Sequence, residues 1–465
     1  MSGHSPDRVD AAVLGGGISG LTAGFLLRDR GRSVALCEAA GRPGGCITTW
    51  RNGGFLFELG PNTVLNNALE IDALCEKAGL IPERITAEGA AKRRYVVKGG
   101  RLVPLPGGPL GFLGTPLFSG AAKLRLLREP FVSRAPEDRE ESIAQFVRRR
   151  LGPELLDYAV SPFVSGVYAG DPERLSVRHA VAKIYALERD HGSLIRGALA
   201  KRKGPAPAGG LFSFREGLAV LPERLAEALG GGYRARAAVH GVRRTEEGFE
   251  VDVEGPEGSP GKLLARAVVS ALPARASAAV LAPLGGDFPK RIGGLPYADV
   301  ALVCLGFRRE DVGHPLDGFG FLAPEVEDRF VLGCLFPSSL FAGRAPEGYV
   351  ALSAFVGGAV HPDRAVFEEP ELVRRVLDDL KPLLDLRGEP VLSRVESWRP
   401  AIPQYNLGHG DFKRAAEELE ATHPGLFVSG NLLSGVSVGN CIQNATAVSE
   451  RAHSYLRERS PSWAI

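Results

Sequence analysis

The chain has 465 residues, of which 44% are hydrophobic and 24% charged, so its composition is that of a globular protein and excludes a disordered one. Its 56 basic and 54 acidic residues give a net charge of +2, which argues against a nucleic-acid-binding protein. The six cysteines form no CxxC pair and the nine histidines no HExxH, so neither a disulfide framework nor a metal site is predicted. Without an N-terminal signal segment, we expect a cytoplasmic protein.

The first ninety residues carry a nucleotide-binding pattern. A short apolar strand, 11–14, leads into a G-x-G-x-x-G turn formed by Gly15, Gly16, Gly17, Ile18, Ser19 and Gly20. Helical spacing follows, and a second strand ends at Glu38, whose carboxylate would accept hydrogen bonds from a ribose hydroxyl. Gly15 permits the tight turn, Gly17 lets the backbone approach a pyrophosphate, and Gly20 lets helix and strand pack closely. This order of elements predicts a dinucleotide-binding domain.

The residues after Glu38 indicate which nucleotide binds. Ala39 is followed by Arg42, Gly44 and Gly45, and this resembles the E-x-x-x-R-x-G-G extension of flavoproteins of the amine-oxidase type. A glycine pair allows a second close backbone approach, and Arg42 would add a cation beside the phosphates. FAD is therefore favoured over NAD. In the same superfamily, the turn that is formed here by Gly60, Pro61, Asn62 and Thr63 lies against the flavin ring.

The remaining chain predicts a second, inserted part. The run 93–97 starts a hairpin that turns at Gly99 and Gly100, and helical periods dominate from about 123 to 200. Strands are expected at 300–307, 330–336 and 349–356, and Leu372, Val376, Leu380 and Leu384 mark an amphipathic helix. A last strand, 426–431, precedes a helix that runs to about residue 456. The nucleotide domain is therefore predicted to be interrupted.

Three further stretches resemble the FAD-dependent protoporphyrinogen oxidases of haem biosynthesis. The run 166–172, followed by Leu175 and Ser176, matches G-V-Y-A-G-D-P-x-x-L-S. Trp398 with 402–405 is similar to a W…I-P-Q-Y stretch, and 435–438 with Cys441 and Ile442 is similar to G-V-[AS]-V-x-x-C-I. The resemblance covers essentially the whole chain and adds to a nucleotide fingerprint shared by all related amine oxidases.

The resemblance implies a fold of class α/β plus α+β with three domains. An interrupted Rossmann-like FAD-binding domain would comprise 1–85, 205–285 and 400–465. A mixed-sheet substrate domain would comprise 86–100 and 286–399, and a helical, membrane-associated domain 101–204. The implied reaction is the six-electron oxidation of protoporphyrinogen IX to protoporphyrin IX by non-covalent FAD, with molecular oxygen reduced to hydrogen peroxide.

The resemblance also implies site residues. Besides the residues of the glycine turns and Glu38, it assigns FAD contacts to Val239, Trp398, Val436, Ser437 and Val438. Substrate contacts carry over to Arg94, which would bind a propionate, and to Phe319, Gly320 and Leu322, which would enclose the macrocycle. The neighbouring Arg93 leaves the register open by one residue. Asn62 is a candidate catalytic residue.

Other functions remain open from sequence. Coproporphyrinogen III oxidation uses the same chemistry on a substrate with four propionates. More distant alternatives are a flavin amine oxidase and an FAD-binding scaffold without turnover. The oligomeric state is also open, a homodimer being one alternative.

The uncharged run 102–122 contains four prolines and cannot form a regular spanning helix. It is either a buried loop over the substrate cleft or a peripheral contact with the inner face of the cell membrane. The contact would be made by Leu110, Phe112, Leu113, Leu117 and Phe118 beside Lys123, Arg125 and Arg128.

Overall fold

The computed structural model describes residues 7–87, 89–136, 138–201, 209–255 and 258–459. The predicted domain limits at residues 1, 204, 205 and 465 lie outside these ranges. The strands are β1 (Asp7–Leu14), β2 (Val34–Cys37), β3 (Thr49–Asn52), β4 (Phe55–Glu58), β5 (Val64–Leu65), β6 (Arg84–Thr86), β7 (Tyr95–Lys98), β8 (Arg101–Pro104), β9 (Leu211–Phe214), β10 (Tyr233–Arg234), β11 (Val239–Thr245), β12 (Gly248–Glu254), β13 (Pro260–Ser270), β14 (Tyr297–Arg308), β15 (Gly320–Leu322), β16 (Val331–Leu335), β17 (Tyr349–Gly357), β18 (Leu392–Pro403) and β19 (Leu426–Val428).

The helices are α1 (Ile18–Asp29), α2 (Leu69–Lys77), α3 (Pro109–Gly114), α4 (Gly120–Leu127), α5 (Ile143–Arg150), α6 (Pro153–Leu155), α7 (Ser161–Tyr168), α8 (Val177–Ala180), α9 (Ala182–His191), α10 (Leu194–Lys201), α11 (Val220–Leu229), α12 (Ala274–Leu281), α13 (Phe288–Ile292), α14 (Pro337–Leu340), α15 (Glu369–Leu384), α16 (Gly410–Thr422) and α17 (Val438–Glu458).

The first sheet is built around parallel strands. Its order is β10-β2-β1-β13-β12-β11, and β19 pairs with the end of β13. Strands β1, β2, β13 and β19 run parallel, so their carboxyl ends lie at one edge. Helices α1, α11 and α17 cover one face with a continuous apolar core. This is the arrangement that places a ligand at the carboxyl edge of the strands.

The second sheet has the order β18-β14-β17-β16-β15-β7-β8. One face is covered by α15, whose Leu372, Val376, Leu380 and Leu384 are fully buried there. The helix predicted from these four leucine and valine positions is therefore confirmed. The opposite face, called the inner face below, is partly covered by the β3–β4 hairpin, which packs on β14 and β17.

The helices α3 to α10 lie between residues 109 and 201, so this stretch is helical as predicted. The sheet extends further than the sequence indicated at two points. Strand β8 keeps Arg101–Pro104 in the second sheet, and β18 carries that sheet to Pro403. Both extensions are paired along their length with a neighbouring strand, β8 with β7 and β18 with β14, which satisfies their backbone hydrogen-bonding groups.

The run 102–122 divides between surface and core. Leu110 and Leu113 are strongly exposed on α3. Leu117 and Phe118 are buried with Val96 and Leu155, so the prediction that these two contact a membrane is wrong. Phe112 is half-buried because its ring packs on Phe118 at 5.3 Å between centroids.

Candidate functional site

The glycine turn after β1 has the geometry that the sequence predicts. Gly15 has φ +98°, a conformation that favours glycine. A Cβ on Gly20 would lie 1.9 Å from the carbonyl oxygen of Gly15, so any side chain there would separate α1 from the turn. Ile18 and Ser19 begin α1 and are buried against the sheet.

Gly17 supplies the test of whether a dinucleotide fits. A Cβ on Gly17 would meet no atom within 4 Å, so the protein itself does not require glycine at this position. Its φ of −72° is open to any residue. The remaining reason for glycine is close approach by a bound group at the first turn of α1, where backbone N–H groups favour a phosphate. The residues present therefore fit a dinucleotide.

Glu38 joins the ends of β1 and β2. Its Oε2 accepts a hydrogen bond from the Gly16 amide at 2.6 Å, and its Oε1 accepts one from Ala40 at 2.7 Å. Each carboxylate oxygen has a further lone pair for a ribose hydroxyl. Ala39 is exposed beside it. Strand β11 starts next to this acid, because the Ala237 amide donates to the Glu38 carbonyl at 2.8 Å, and this brings Val239 to the same end.

The loop 42–45 docks on the glycine turn. Gly44 donates its amide to the Gly16 carbonyl at 2.8 Å, and Gly44 and Gly45 have φ of +106° and +59°. The guanidinium of Arg42 folds back onto its own loop and donates to the carbonyls of Pro43, Gly45 and Ile47. Arg42 therefore holds the shape of the loop, and its position beside the phosphates stays a prediction.

The predicted flavin-side turn is held from two sides. A Cβ on Gly60 would lie 2.0 Å from the Cys46 carbonyl oxygen, and Asn62 Nδ2 donates to the Gly60 carbonyl at 3.0 Å. Trp398 Nε1 on β18 donates to the Leu59 carbonyl at 2.7 Å. Pro61 and Thr63 are half-buried in the same turn. The turn therefore joins the first sheet to the inner face of the second.

The C-terminal turn reaches the same edge. Strand β19 ends at Val428, and the chain turns through 429–437 before α17 begins at Val438. Ser437 is the N-cap, and its Oγ accepts the Asn440 amide at 3.2 Å. Helix α17 packs on α1 through a core that includes Val438, so the start of α17 lies beside the glycine-turn helix. Val436 packs instead against the helical cluster that contains Tyr168 and Tyr405.

Strand alternation places three of the four predicted substrate residues on one face, whereas Phe319 precedes β15 and packs against Leu340 and Phe341. Tyr95, Phe321 and Cys334 point into the core under α15, so their neighbours point to the inner face. Register pairs Tyr95 with Phe321 and Leu322 with Gly333. The inner face therefore carries Arg94, Gly320, Leu322 and, across the sheet, Trp398. Gly320 must be glycine, since its φ is +140° and a Cβ would lie 2.2 Å from the Cys334 carbonyl oxygen.

The two adjacent arginines have different surroundings. Arg93 pairs with Asp317, which also accepts a 2.6 Å hydrogen bond from Tyr95, and this bond lowers the pKa of the Asp317 carboxyl. The guanidinium of Arg94 lies over the Phe319 ring at 5.3 Å. Among the residues that the structure describes, no carboxylate pairs with Arg94. Its charge is thus available to an anionic ligand.

Two residues of the inner face were missed by sequence reasoning. Leu335 lies opposite Gly320, and Phe355 lies opposite Gly333 in the row of Leu322. Both side chains are half-buried. Strand alternation assigns them to this face only once the pairing register is known, and the sequence does not specify that register.

A buried ion pair lies behind the flavin-side turn. Glu58, at the end of β4, accepts hydrogen bonds from Thr49 Oγ1 at 2.7 Å and from the Leu218 amide at 2.8 Å. Its carboxylate lies 3.9 Å from Arg344, which is 2% exposed. Burial raises the pKa of Glu58 to about 7 and lowers the pKa of Arg344. These charges bind the hairpin to the loop before β17.

The described residues contain no group of three or more His, Cys, Asp or Glu side chains that could hold a metal ion. None of the helices in the described ranges is long and apolar enough to cross a membrane.

The glycine turn, Glu38 and the second sheet, which Trp398 joins to the flavin-side turn, define a dinucleotide-binding flavoprotein of the oxidase type. The chain belongs to the flavin containing amine oxidoreductase family, which matches residues 18–453. Its flavin is FAD.

Relatives match over nearly the whole chain. The chain is 34% identical to the chloroplastic protoporphyrinogen oxidase of Oryza sativa subsp. japonica, covering 96% of this chain and 88% of that protein. It is 28% identical to the coproporphyrinogen III oxidase of Bacillus subtilis (strain 168), covering 97% and 99%. A crystal structure from Exiguobacterium sp. 255-15 has a TM-score of 0.81 at 25% identity over 98% of this chain and all of the other. Putrescine oxidase, at 18% identity, shares the fold with a TM-score of 0.72 over 98% and 100%.

Proposed function

We propose that this protein oxidises protoporphyrinogen IX to protoporphyrin IX. Six electrons leave the substrate in three two-electron steps, and three molecules of oxygen are reduced to three of hydrogen peroxide. The observation that carries the proposal is Arg94, an arginine that pairs with no carboxylate of the described chain and whose guanidinium lies over the Phe319 ring. Relatives named for porphyrinogen oxidation cover nearly all of the chain and support it.

The residues of the inner face bind and orient the substrate. Arg94 holds a propionate through charge-assisted hydrogen bonds. Phe319, Gly320 and Leu322 lie against the macrocycle, and their apolar surface excludes water from it. FAD, when bound, supplies the hydride acceptor for the meso carbon.

Asn62 is the polar side chain at the flavin-side turn. Because its Nδ2 is committed to the Gly60 carbonyl, its Oδ1 is the atom turned to accept a hydrogen bond. We propose that Asn62 Oδ1 accepts a hydrogen bond from a pyrrole N–H of the substrate and so orients the macrocycle.

FAD is held without a covalent bond in this proposal. Cys441 follows the C-terminal turn, but its thiol is buried, and burial raises the pKa of that thiol to about 12. A thiol in this state is a poor nucleophile. Acid precipitation should leave the flavin in the supernatant, and flavin in the pellet would refute this part.

A second candidate substrate is coproporphyrinogen III, favoured by the bacterial relative and by the same Arg94 contact. The two differ because coproporphyrinogen carries two further propionates where protoporphyrinogen carries vinyl groups. Competition between the two porphyrinogens gives the ratio of kcat/KM directly. A higher value for protoporphyrinogen supports the proposal, and a higher value for coproporphyrinogen replaces it.

Turnover itself is tested by mixing holoenzyme anaerobically with the porphyrinogen. Bleaching of the flavin followed by recovery in air supports an oxidase. A flavin that stays oxidised indicates a scaffold, and bleaching by primary amines alone indicates an amine oxidase.

We also propose that the helical segment rests peripherally on the inner face of the cell membrane. Five strongly exposed apolar residues follow one another on α3, α4 and the residues after them and are called the apolar surface patch: Leu110, Leu113, Leu124, Leu127 and Phe131. A concentration of large exposed apolar side chains in one short stretch is typical of an interaction surface. The exposed cation Arg128 lies between Leu127 and Phe131 and suits anionic lipid.

A further inference from the structure

The segment 404–409 connects two parts of the site that are distant in sequence. On one side it is bound to the helical segment: Gln404 Nε2 donates to the Tyr168 carbonyl at 2.9 Å, and the Ser176 amide donates to the Tyr405 carbonyl at 2.8 Å. Tyr168 lies two residues after Gly166, where a Cβ would come within 2.6 Å of Leu322. This side therefore belongs to the wall above the inner face.

On its other side the segment is bound to the C-terminal turn. The Tyr405 hydroxyl donates to the Asn431 carbonyl, and His409 Nε2 lies 3.0 Å from the Leu433 carbonyl. A carbonyl only accepts, so Nε2 carries the proton. The rings of Tyr405 and His409 are in contact at a tilt of 34°, with centroids 4.4 Å apart, and the two residues are 0% and 1% exposed. The side chains of Tyr405 and His409 thus bind two backbone carbonyls of the C-terminal turn.

His409 is well suited to this structural part. Nδ1 is buried without a hydrogen-bond partner in the described structure. Burial lowers the pKa of His409 to about 4, so the ring stays neutral and keeps one tautomer near neutral pH. The turn continues directly into Val436 and the N-terminus of α17.

We propose that Tyr405 and His409 are positioning residues that fix the C-terminal turn against the flavin and so set the relative affinity for reduced and oxidised FAD. The inference rests on the proposed flavin contact of Val436–Val438. The start of α17 carries the positive end of the helix dipole, which favours the negative charge of a reduced flavin. When the turn moves away, the reduced form loses more binding free energy than the oxidised form.

The test is Tyr405→Phe, which removes the hydroxyl and keeps the buried ring. We expect the Kd for oxidised FAD to rise about two- to tenfold. The Kd for reduced FAD should rise further, so the midpoint potential of the bound flavin becomes more negative. Tyr168→Phe is the matched control, because its hydroxyl donates to Ala180 in the same aromatic cluster and does not touch the turn.

His409 gives an independent pair of variants. Gln places an amide N–H near the position of Nε2, whereas Leu has no donor, so His409→Gln should retain the wild-type potential and His409→Leu should lower it. If Tyr405→Phe raised the Kd for oxidised and reduced FAD by the same factor, the midpoint potential of the bound flavin would not change. This result would show that Tyr405 has only a structural role and would overturn the proposal. The proposal would also be overturned if the midpoint potential of the bound flavin in Tyr168→Phe became more negative by the same amount as in Tyr405→Phe. Neither result would contradict the proposed function, because that is tested separately by flavin bleaching with the porphyrinogen.

Discussion

Arg94 is the residue on which substrate anchoring depends most directly. Its guanidinium has an aromatic ring beneath it and no carboxylate partner within the described chain. We predict that Arg94→Ala raises KM for the porphyrinogen about ten- to hundredfold, the effect of losing a charge-assisted hydrogen bond. Arg94→Lys should recover part of this, since an ammonium lacks the bidentate fork. Steady-state kinetics measure both.

Arg93→Ala is the matched control for that prediction. Because Arg93 is committed to Asp317, its loss should leave KM within about threefold of wild type and act mainly on stability. A large KM effect for Arg93→Ala with none for Arg94→Ala would shift the anchor by one residue.

Gly17 and Gly20 separate cofactor binding from folding. A Cβ at Gly17 meets no atom within 4 Å, so Gly17→Val should fold with an unchanged melting temperature in the absence of FAD and fail to bind FAD. Gly20→Val should not fold, because its Cβ would overlap the Gly15 carbonyl. Flavin content after purification and the melting temperature of the apoprotein distinguish them. Normal flavin content in Gly17→Val would remove the fingerprint assignment.

Residues that act through backbone geometry were the predictable part of the site. Gly15 follows from the positive φ of the turn, and Gly20 follows from the Gly15 carbonyl five residues before it. The orientation of Arg42 could not be predicted, since the sequence does not specify the shape of the loop, and this shape determines which loop carbonyls its guanidinium can reach. Phe355 was missed because its place depends on pairing between strands far apart in the chain.

At the scale of elements, the β3–β4 hairpin connects the two sheets. Glu58 accepts hydrogen bonds from Thr49 on β3 and from the Leu218 amide, two residues before α11. Arg344 donates to the carbonyls of Phe214 and Arg215. Burial of these charges is costly unless each is hydrogen-bonded, and both are. The pair therefore fixes the hairpin that continues into the flavin-side turn.

The raised pKa of Glu58 predicts a pH dependence of stability. Its pKa is about 7 in the folded protein and lies near 4.5 when the side chain is solvated, so the folded state binds a proton more tightly. The corresponding stabilisation is complete below about pH 4.5 and is lost as pH rises through 7, by at most about 3 kcal/mol. The wild-type melting temperature should therefore fall between pH 5 and pH 8.

Glu58→Gln keeps an acceptor for the Leu218 amide and cannot ionise, so its melting temperature should fall less steeply over that range. The surface variant Glu227→Gln, which removes one partner of Arg224, should follow the wild type. Parallel curves for wild type and Glu58→Gln would show that the carboxyl stays ionised and that Arg344 outweighs its burial.

Elements were predictable where one periodicity ran without interruption. Leu372 to Leu384 recur at helical spacing, and α15 forms there. The last strand was expected to reach Asn431 but ends at Val428, because the following residues form the turn held by Tyr405. The run 102–122 resisted prediction, since its apolar residues serve two environments and prolines remove any regular period.

At the scale of the whole molecule, a buried charge network stabilises the helical segment, which comprises α3 to α10 between residues 109 and 201. Arg150, which is fully buried, pairs with Glu129 at 2.7 Å and Glu188 at 2.5 Å, and Arg149 pairs with Glu141 and Glu188. These bonds join α5 and α9 to the residues after α4. Because this network stabilises the helical segment internally, the apolar side chains of the surface patch can stay exposed to solvent without the helices rearranging to bury them.

The apolar surface patch makes the membrane proposal testable. Leu110 is 85% exposed and Leu113 62% exposed, so replacing both by Asp costs little packing and places two negative charges where anionic lipid would lie. We predict that wild-type protein floats with phosphatidylglycerol vesicles and that Leu110→Asp/Leu113→Asp does not. The double variant should keep its FAD and melting temperature. Val366→Asp/Val391→Asp, exposed apolar residues outside the helical segment, should float like wild type. Flotation that survives in the Leu110/Leu113 variant would assign the patch to another partner, and equal loss in both variants would show nonspecific charge repulsion.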